Sequence, residues 1–211
     1  MWSYRGIAGN GPAPAYLGKY AGRLVVLGGA RCVWADYLEL KAATAGLGAA
    51  ARADLMVVND IGVYCQLPFQ HWLSLHPENL VLWRDLKRRH NEPMTCTLHT
   101  NKPNHAGMVC WSINDYGLYS GLFAAQVGVC LGYEEIILCG VPQDQSGRFF
   151  DPPWVTGLRH GTDRTAMQKW QNVVADHPEL KKRVRSMSGF TKSLFGGIHN
   201  EIPERQFSNG G

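Results

Sequence analysis

Short apolar runs alternate along this chain with stretches whose apolar residues recur every three to four positions. That alternation predicts strands separated by helices. The first unit starts at Leu24, where Leu24-Val25-Val26-Leu27 reads as a strand, Gly28-Gly29-Ala30 as a turn, and Val33 to about Ala43 as a helix. Residues 55–58 (LMVV) form a second buried strand with Asn59-Asp60 at its carboxyl end. Residues 71–75 (HWLSL) form another, closed by His76-Pro77-Glu78. The segment LVLWRDLKRRHNE, from Leu80, reads as an amphipathic helix with Trp83 and Leu86 inward and Arg84, Lys87, Arg88 and Arg89 outward. Residues 94–99 alternate as a strand, and 101–114 read as a polar loop that carries Trp111 toward Ser120.

The stretch YSGLFAAQVGVCLGYEEIILCGVPQD, from Tyr119 to Asp144, organises the rest. Leu122, Phe123, Ala125, Val129 and Leu131 mark a buried helix, and Gly132 is placed to end it in a left-handed conformation. Ile136-Ile137-Leu138-Cys139, apolar on both faces, belongs in the middle of a parallel sheet covered by helices. A long aromatic and glycine-containing loop follows, and residues of about 143–162 are expected to form a lid. Thr162 or Asp163 can cap a helix through about Ala175. Residues 184–187 read as a last strand, Ser188-Gly189 opens a short helix, and the chain after Gly196 reads as a tail. The expected fold is therefore α/β: an irregular arm over 1–22, one domain over 23–196 with a mostly parallel sheet and helices on both faces, and a tail over 197–211.

Composition narrows the classes. A chain of 211 residues holds one sizeable core, and 45% hydrophobic against 18% charged residues argues against disorder. No run reaches the roughly 20 apolar residues of a membrane span, and the N-terminus lacks a signal pattern, so an intracellular, cytoplasmic protein without a membrane partner is expected. The six cysteines have no C-x-x-C pair, so neither a disulfide framework nor a zinc site is indicated, and no Asp-x-Asp metal motif is present. The net charge of +4 permits a polyanionic ligand without demanding one. A homo-oligomer stays open.

Candidate chemistry gathers where strands end, because doubly wound sheets bind ligands there. Gly28 and Gly29 would let the backbone approach a phosphate or ribose, with Ala30 and Arg31 completing the turn, although G-x-G-x-x-G is absent. Gly9-Asn10-Gly11-Pro12 follows no strand and is set aside. Asp60 reads as an Asx turn, and His76 as either a ligand contact or a loop residue. Ser120 is either an N-cap or, with Gly121, the mouth of a helix that meets an anion. Arg159, His160 and Arg164 surround another helix start, an arrangement suited to holding phosphate. The basic helix face is a solvated surface or a nucleic-acid patch.

The block SGLFAAQVGVCLGYEEIILCGVPQDQSGRFFD, followed by RHGTDRTAMQKW, resembles the bacterial CMP-sialic-acid-dependent sialyltransferases built on one Rossmann-like domain with a lid. It is also similar to the small Rossmann-like proteins that include archaeal-type hydroxymethylpterin pyrophosphokinases. GGARCVWADYLEL and RVRSMSGFTK look like uncharacterised bacteriophage proteins, which would place the chain in the host cytoplasm. The resemblance implies a nucleotide or nucleotide-sugar at Gly28, Gly29, Asn59, Ser120 and Gly121, and His160 as catalytic histidine. Two departures stand out. Gly28-Gly29-Ala30-Arg31 replaces the family's Asn-Gly-Pro loop, and Phe149, Phe150 and Trp154 occupy the region of its paired lid tyrosines. The activity implied is a metal-independent, glycosyltransferase-like transfer from a nucleotide-activated donor to a hydroxyl. In it His160 acts as general base at a depressed pKa, or as the cation at the leaving phosphate, and Arg159 and Arg164 offset phosphate charge. Two other readings stay open: a transferase that modifies a base in phage DNA, with Arg84, Lys87, Arg88 and residues 181–185 on the backbone, and a nucleotide-sequestering protein without turnover.

Overall fold

The computed structural model describes residues 16–89, 95–103, 105–113, 119–144, 147–152 and 164–198, with the side chains of 49–51 and 164 left aside. The elements in chain order are β1 (Arg23–Leu27), α1 (Val33–Thr44), a 3₁₀ segment (Ala45–Ala51), β2 (Asp54–Val58), α2 (Ile61–Tyr64), β3 (His71–Leu73) and α3 (Pro77–Arg89). There follow β4 (Thr97–Thr100), β5 (Met108–Cys110), α4 (Ser120–Leu131), β6 (Glu135–Cys139), α5 (Arg164–Asp176), α6 (Pro178–Arg183), β7 (Val184–Ser186) and α7 (Gly189–Phe195). The seven strands form one sheet in the order β5-β4-β3-β2-β1-β6-β7, and every pairing is parallel.

Strand alternation splits the core in two. Leu24, Val26, Met56, Val58 and Leu73 face α4 and the C-terminal helices, where Phe123, Trp170, Leu180 and Phe195 cover them. Val25, Leu27, Leu55, Val57 and Trp72 face the other way, toward Val33, Leu40, Ile61 and Leu80 of α1, α2 and α3. Helix α4 buries ten of its twelve residues, which accounts for a sequence apolar nearly all round. It ends, as its sequence suggests, at Gly132 with φ 108°. Its last carbonyls are capped from outside: Gly18 N–H donates to Cys130 O and Tyr20 N–H to Leu131 O, each at 2.9 Å, so the described part of the N-terminal arm closes this helix end. No helix among the described residues is long and apolar enough to cross a membrane.

Three readings of the sequence change. The 101–114 stretch contains β5, a three-residue edge strand too short to show a period. Helix α6 fills the stretch between the expected helix and the last strand, to which the sequence pattern assigns no element; Pro178 starts it without needing its missing N–H. Helix α3 begins at Pro77, and its phase is rotated. Pro77, Leu80 and Lys87 face inward, whereas Leu86 is 44% exposed. Lys87 is drawn in because its ammonium donates to Cys65 O at 2.8 Å and lies 5.5 Å over the Phe69 ring.

A polar chain crosses the core. Trp111 Nε1–H donates to His99 Nδ1 (3.0 Å), His99 Nε2 meets His71 Nδ1 (3.0 Å), His71 Nε2 meets Tyr133 OH (2.9 Å), and Tyr133 OH donates to Asp54 Oδ2 (2.6 Å). Indole can only donate, so each later member is fixed: both imidazoles are neutral with the proton on Nε2, and every donor points toward Asp54. Burial pushes His71 down to about 4 and His99 well below its ordinary value. Protonating either ring would also turn a donor onto a donor somewhere along the chain.

Candidate functional site

Parallel strands bring all their carboxyl ends to one edge. From β1 the chain moves to β2 on one side and returns, after β5, to β6 on the other. The crevice between the β1 and β6 ends is therefore the switch point of a doubly wound sheet. Register keeps it level: Leu27, the last residue of β1, stands beside Val57 and Cys139.

Asn59 follows β2 at φ 59°, in the left-handed region that asparagine tolerates better than most residues. It is held there by three bonds. Its N–H donates to Leu73 O (2.9 Å), its carbonyl accepts from Trp72 Nε1 (2.7 Å), and its Oδ1 accepts from Ser74 Oγ (3.0 Å). The remaining end, Nδ2, donates to Ser120 Oγ at 3.2 Å. Asn59 is thus a strut between the end of β3 and the start of α4. Ser120 does not cap α4. Tyr119 holds the N-cap position in extended conformation and makes no side-chain capping bond. The Ser120 hydroxyl accepts from Asn59, so its own hydrogen is left to donate beside the uncapped first N–H groups of α4.

The glycines divide by role. A Cβ on Gly28 would overlap the Gly140 carbonyl oxygen, and one on Gly121 would strike Val141, so both are required by packing rather than by ligand approach. Gly29 alone is open to the crevice, and the nearest atom to a Cβ there is Arg148 Nη2 at 3.5 Å. Behind this turn Asp36 is 5% exposed, and its Oδ2 accepts from Gly140 N–H (2.8 Å) and Ser188 Oγ (2.7 Å), tying α1, β6 and the start of α7 together. Burial raises the neighbouring Cys32 thiol to about 11, so it is inert near neutrality.

Residues 147–152 lie as a strap over the β1–α1 turn. Ala30 and Arg148 form an antiparallel bridge, Phe149 N–H donates to Gly29 O (3.1 Å), and Arg31 N–H to Gly147 O (3.1 Å). The Arg31 guanidinium reaches the carbonyls of Pro152 (2.8 Å) and Asp151 (3.4 Å), so it anchors the strap. Arg148 Nη2 pairs with Asp60 Oδ1 at 2.6 Å, which replaces the Asx turn expected of Asp60. His76 is exposed and its Nδ1 lies 3.3 Å from Glu78, one strand away from Asn59. Of the sequence candidates, Gly28, Gly29, Ala30, Arg31, Asn59, Ser120 and Gly121 meet at one crevice; His76 N–H donates to Ser74 Oγ (3.0 Å), the partner of Asn59, while its side chain turns to Glu78. Arg159 and His160 lie outside the described residues, as do 145–146 and 153–163 of the expected lid, and the Arg164 side chain is likewise not described. Asp60, Arg148, Ser74 and Asp36 were not legible as site residues, because each acts through a partner distant in sequence.

A cleft of about 740 Å³ opens at the opposite edge of the sheet, lined by Tyr37, Leu40, Lys41, Arg52, Asp54 and Gln70. We favour the carboxyl edge nonetheless. It is the topological switch point of the sheet, and among the described residues no side chain caps the start of α4 there, whereas at the amino edge Asp54 is engaged by Tyr133 and Arg23 by Glu135.

Fold and crevice together define a Rossmann-like α/β domain. The chain matches no protein-family model, no curated protein and no solved structure.

Proposed function

We propose that this chain is a nucleotide-dependent transferase of the glycosyltransferase-like kind, holding the phosphates of its donor in the switch crevice. The observation that carries the reading is the Asn59–Ser120 contact. It commits the Ser120 oxygen as acceptor and leaves its O–H, with the first amides of α4, as a set made only of donors. A donor-only set at a helix start selects an anion, and the sheet's switch point is where nucleotide phosphates sit in this class of fold. Arg148 brings a guanidinium to the same crevice, held in place through Nη2 by Asp60, and its positive charge suits a phosphate there. In this reading His160 is the general base toward the acceptor hydroxyl, with Arg159 and Arg164 beside it in sequence.

The test is Asn59→Asp. Aspartate also tolerates the left-handed backbone, so the fold survives, but its carboxylate accepts a hydrogen bond from the Ser120 hydroxyl and places a negative charge at the anion site. Calorimetric titration with a panel of nucleoside mono- and diphosphates and nucleotide-sugars should show a binder whose affinity falls on the order of 100-fold in the variant. A variant that binds as tightly as the parent contradicts the proposal.

A further inference from the structure

Among the described residues, two aromatic side chains are exposed, Tyr64 at 56% and Phe150 at 48%. They are not scattered. Both pack edge-on against Phe149, at centroid distances of 5.3 and 5.1 Å, and Phe149 is fixed by its backbone bond to Gly29 O. The Arg148 guanidinium lies 5.0 Å over the Phe150 ring while its Nη2 holds Asp60. The cluster is rigid: the Ala30–Arg148 bridge, the Arg31 contacts and the Arg148 N–H to Asp151 Oδ2 bond (2.8 Å) hold the strap at both ends. Tyr64 comes from a different element, α2, whose start at Ile61 directly follows Asp60. Two separate segments thus deliver exposed rings to one rim of the crevice. Exposed apolar rings otherwise forgo the stabilisation of burial.

We infer that Tyr64, Phe149 and Phe150 form a stacking platform for the nucleobase of the ligand bound in the switch crevice. The inference rests on the nucleotide reading of that crevice and adds which part of the protein holds the base. Three features select a nucleobase over an aliphatic group. The exposed groups are aromatic rings, whose flat shape suits a flat ligand. Arg148 links the platform to the Gly29 turn, so a ligand with its phosphate in the switch crevice, before Ser120 and α4, and its ring on Phe150 or Tyr64 runs past Gly29 and Arg148. Asp60 stands at the junction, where its carboxylate can accept from ribose hydroxyls. Rings that stack without base-edge hydrogen bonds hold the ligand strongly and discriminate among bases weakly.

The experiment compares nucleoside 5′-monophosphates with ribose 5-phosphate, which keeps the phosphate and sugar and lacks the base, by calorimetric titration of the full chain. The nucleotides should bind about 5- to 150-fold more tightly than ribose 5-phosphate. Phe150→Ala and Tyr64→Ala should each erase part of that ratio while leaving ribose 5-phosphate binding unchanged. Phe150→Trp should keep the ratio, and its fluorescence should be quenched by the nucleotide and not by ribose 5-phosphate. Both rings are exposed, so the alanine variants keep the fold, and unchanged circular dichroism checks this. Equal binding of nucleotide and ribose 5-phosphate, or a ratio untouched by both alanine variants, overturns the platform while leaving the crevice reading intact. Absence of binding by every probe removes the crevice reading and the platform with it.

Discussion

Acid should destabilise this protein well above the range where carboxylates titrate, and the cause is the chain from Trp111 to Asp54. His71 has a folded pKa of about 4, against 6.5 in the unfolded chain. A depressed histidine pKa means that the unfolded state binds more protons as pH falls, so stability is full above the unfolded value and is lost from there down toward the folded one. Between about pH 7.5 and pH 5, His71 alone should remove about 2 kcal/mol. His99 shifts the same way and adds to the loss. His177, lowered by burial, also adds, and a variant separates its share. Trp111→Phe deletes the N–H that fixes the direction of the chain, which leaves His99 Nδ1 free to carry a proton. That variant should be less stable at neutral pH by about 1–3 kcal/mol and lose less on acidification than the parent. Urea denaturation followed by intrinsic fluorescence measures both. Stability equal at the two pH values in the parent, or an acid loss unchanged in Trp111→Phe, refutes the account of the chain.

Two further predictions concern the scaffold. Gly28→Ala should cost about 1–3 kcal/mol, because its methyl group meets the Gly140 carbonyl; a melting temperature equal to the parent's would show that the two strand ends can part without cost. Lys87→Ala should cost about 1–3 kcal/mol and Leu86→Ala within about 0.5 kcal/mol, the reverse of the ranking that side-chain type suggests, and denaturant midpoints with comparable slopes decide it.

The strand–helix alternation was legible because a parallel sheet buries its central strands on both faces. Leu24–Leu27 and Ile136–Cys139 announce themselves as unbroken apolar runs. Gly132 was legible for a local reason, the left-handed end of α4. The phase of α3 was not, because Lys87 pairs with the Cys65 carbonyl just after α2, a contact that no helical period encodes. At the site, Gly28, Asn59 and Ser120 could be placed from their positions at strand and helix ends. Their roles could not be so placed: Gly28 serves the Gly140 contact, and Asn59 serves Ser120 across 61 positions of sequence. Arg148 and Asp60 escaped for the same reason, being an ion pair between segments 88 residues apart.

An amide chemical-shift map of the labelled full chain, titrated with a nucleotide that binds, tests most directly whether the ligand sits in the switch crevice. The largest perturbations should fall on Gly29, Ala30, Asn59, Asp60, Ser120, Gly121 and Arg148, with Lys41, Arg52 and Gln70 unmoved. Perturbations centred on Lys41, Arg52 and Gln70, with the Ser120 amide unchanged, would place the ligand at the amino edge of the sheet and contradict the crevice reading.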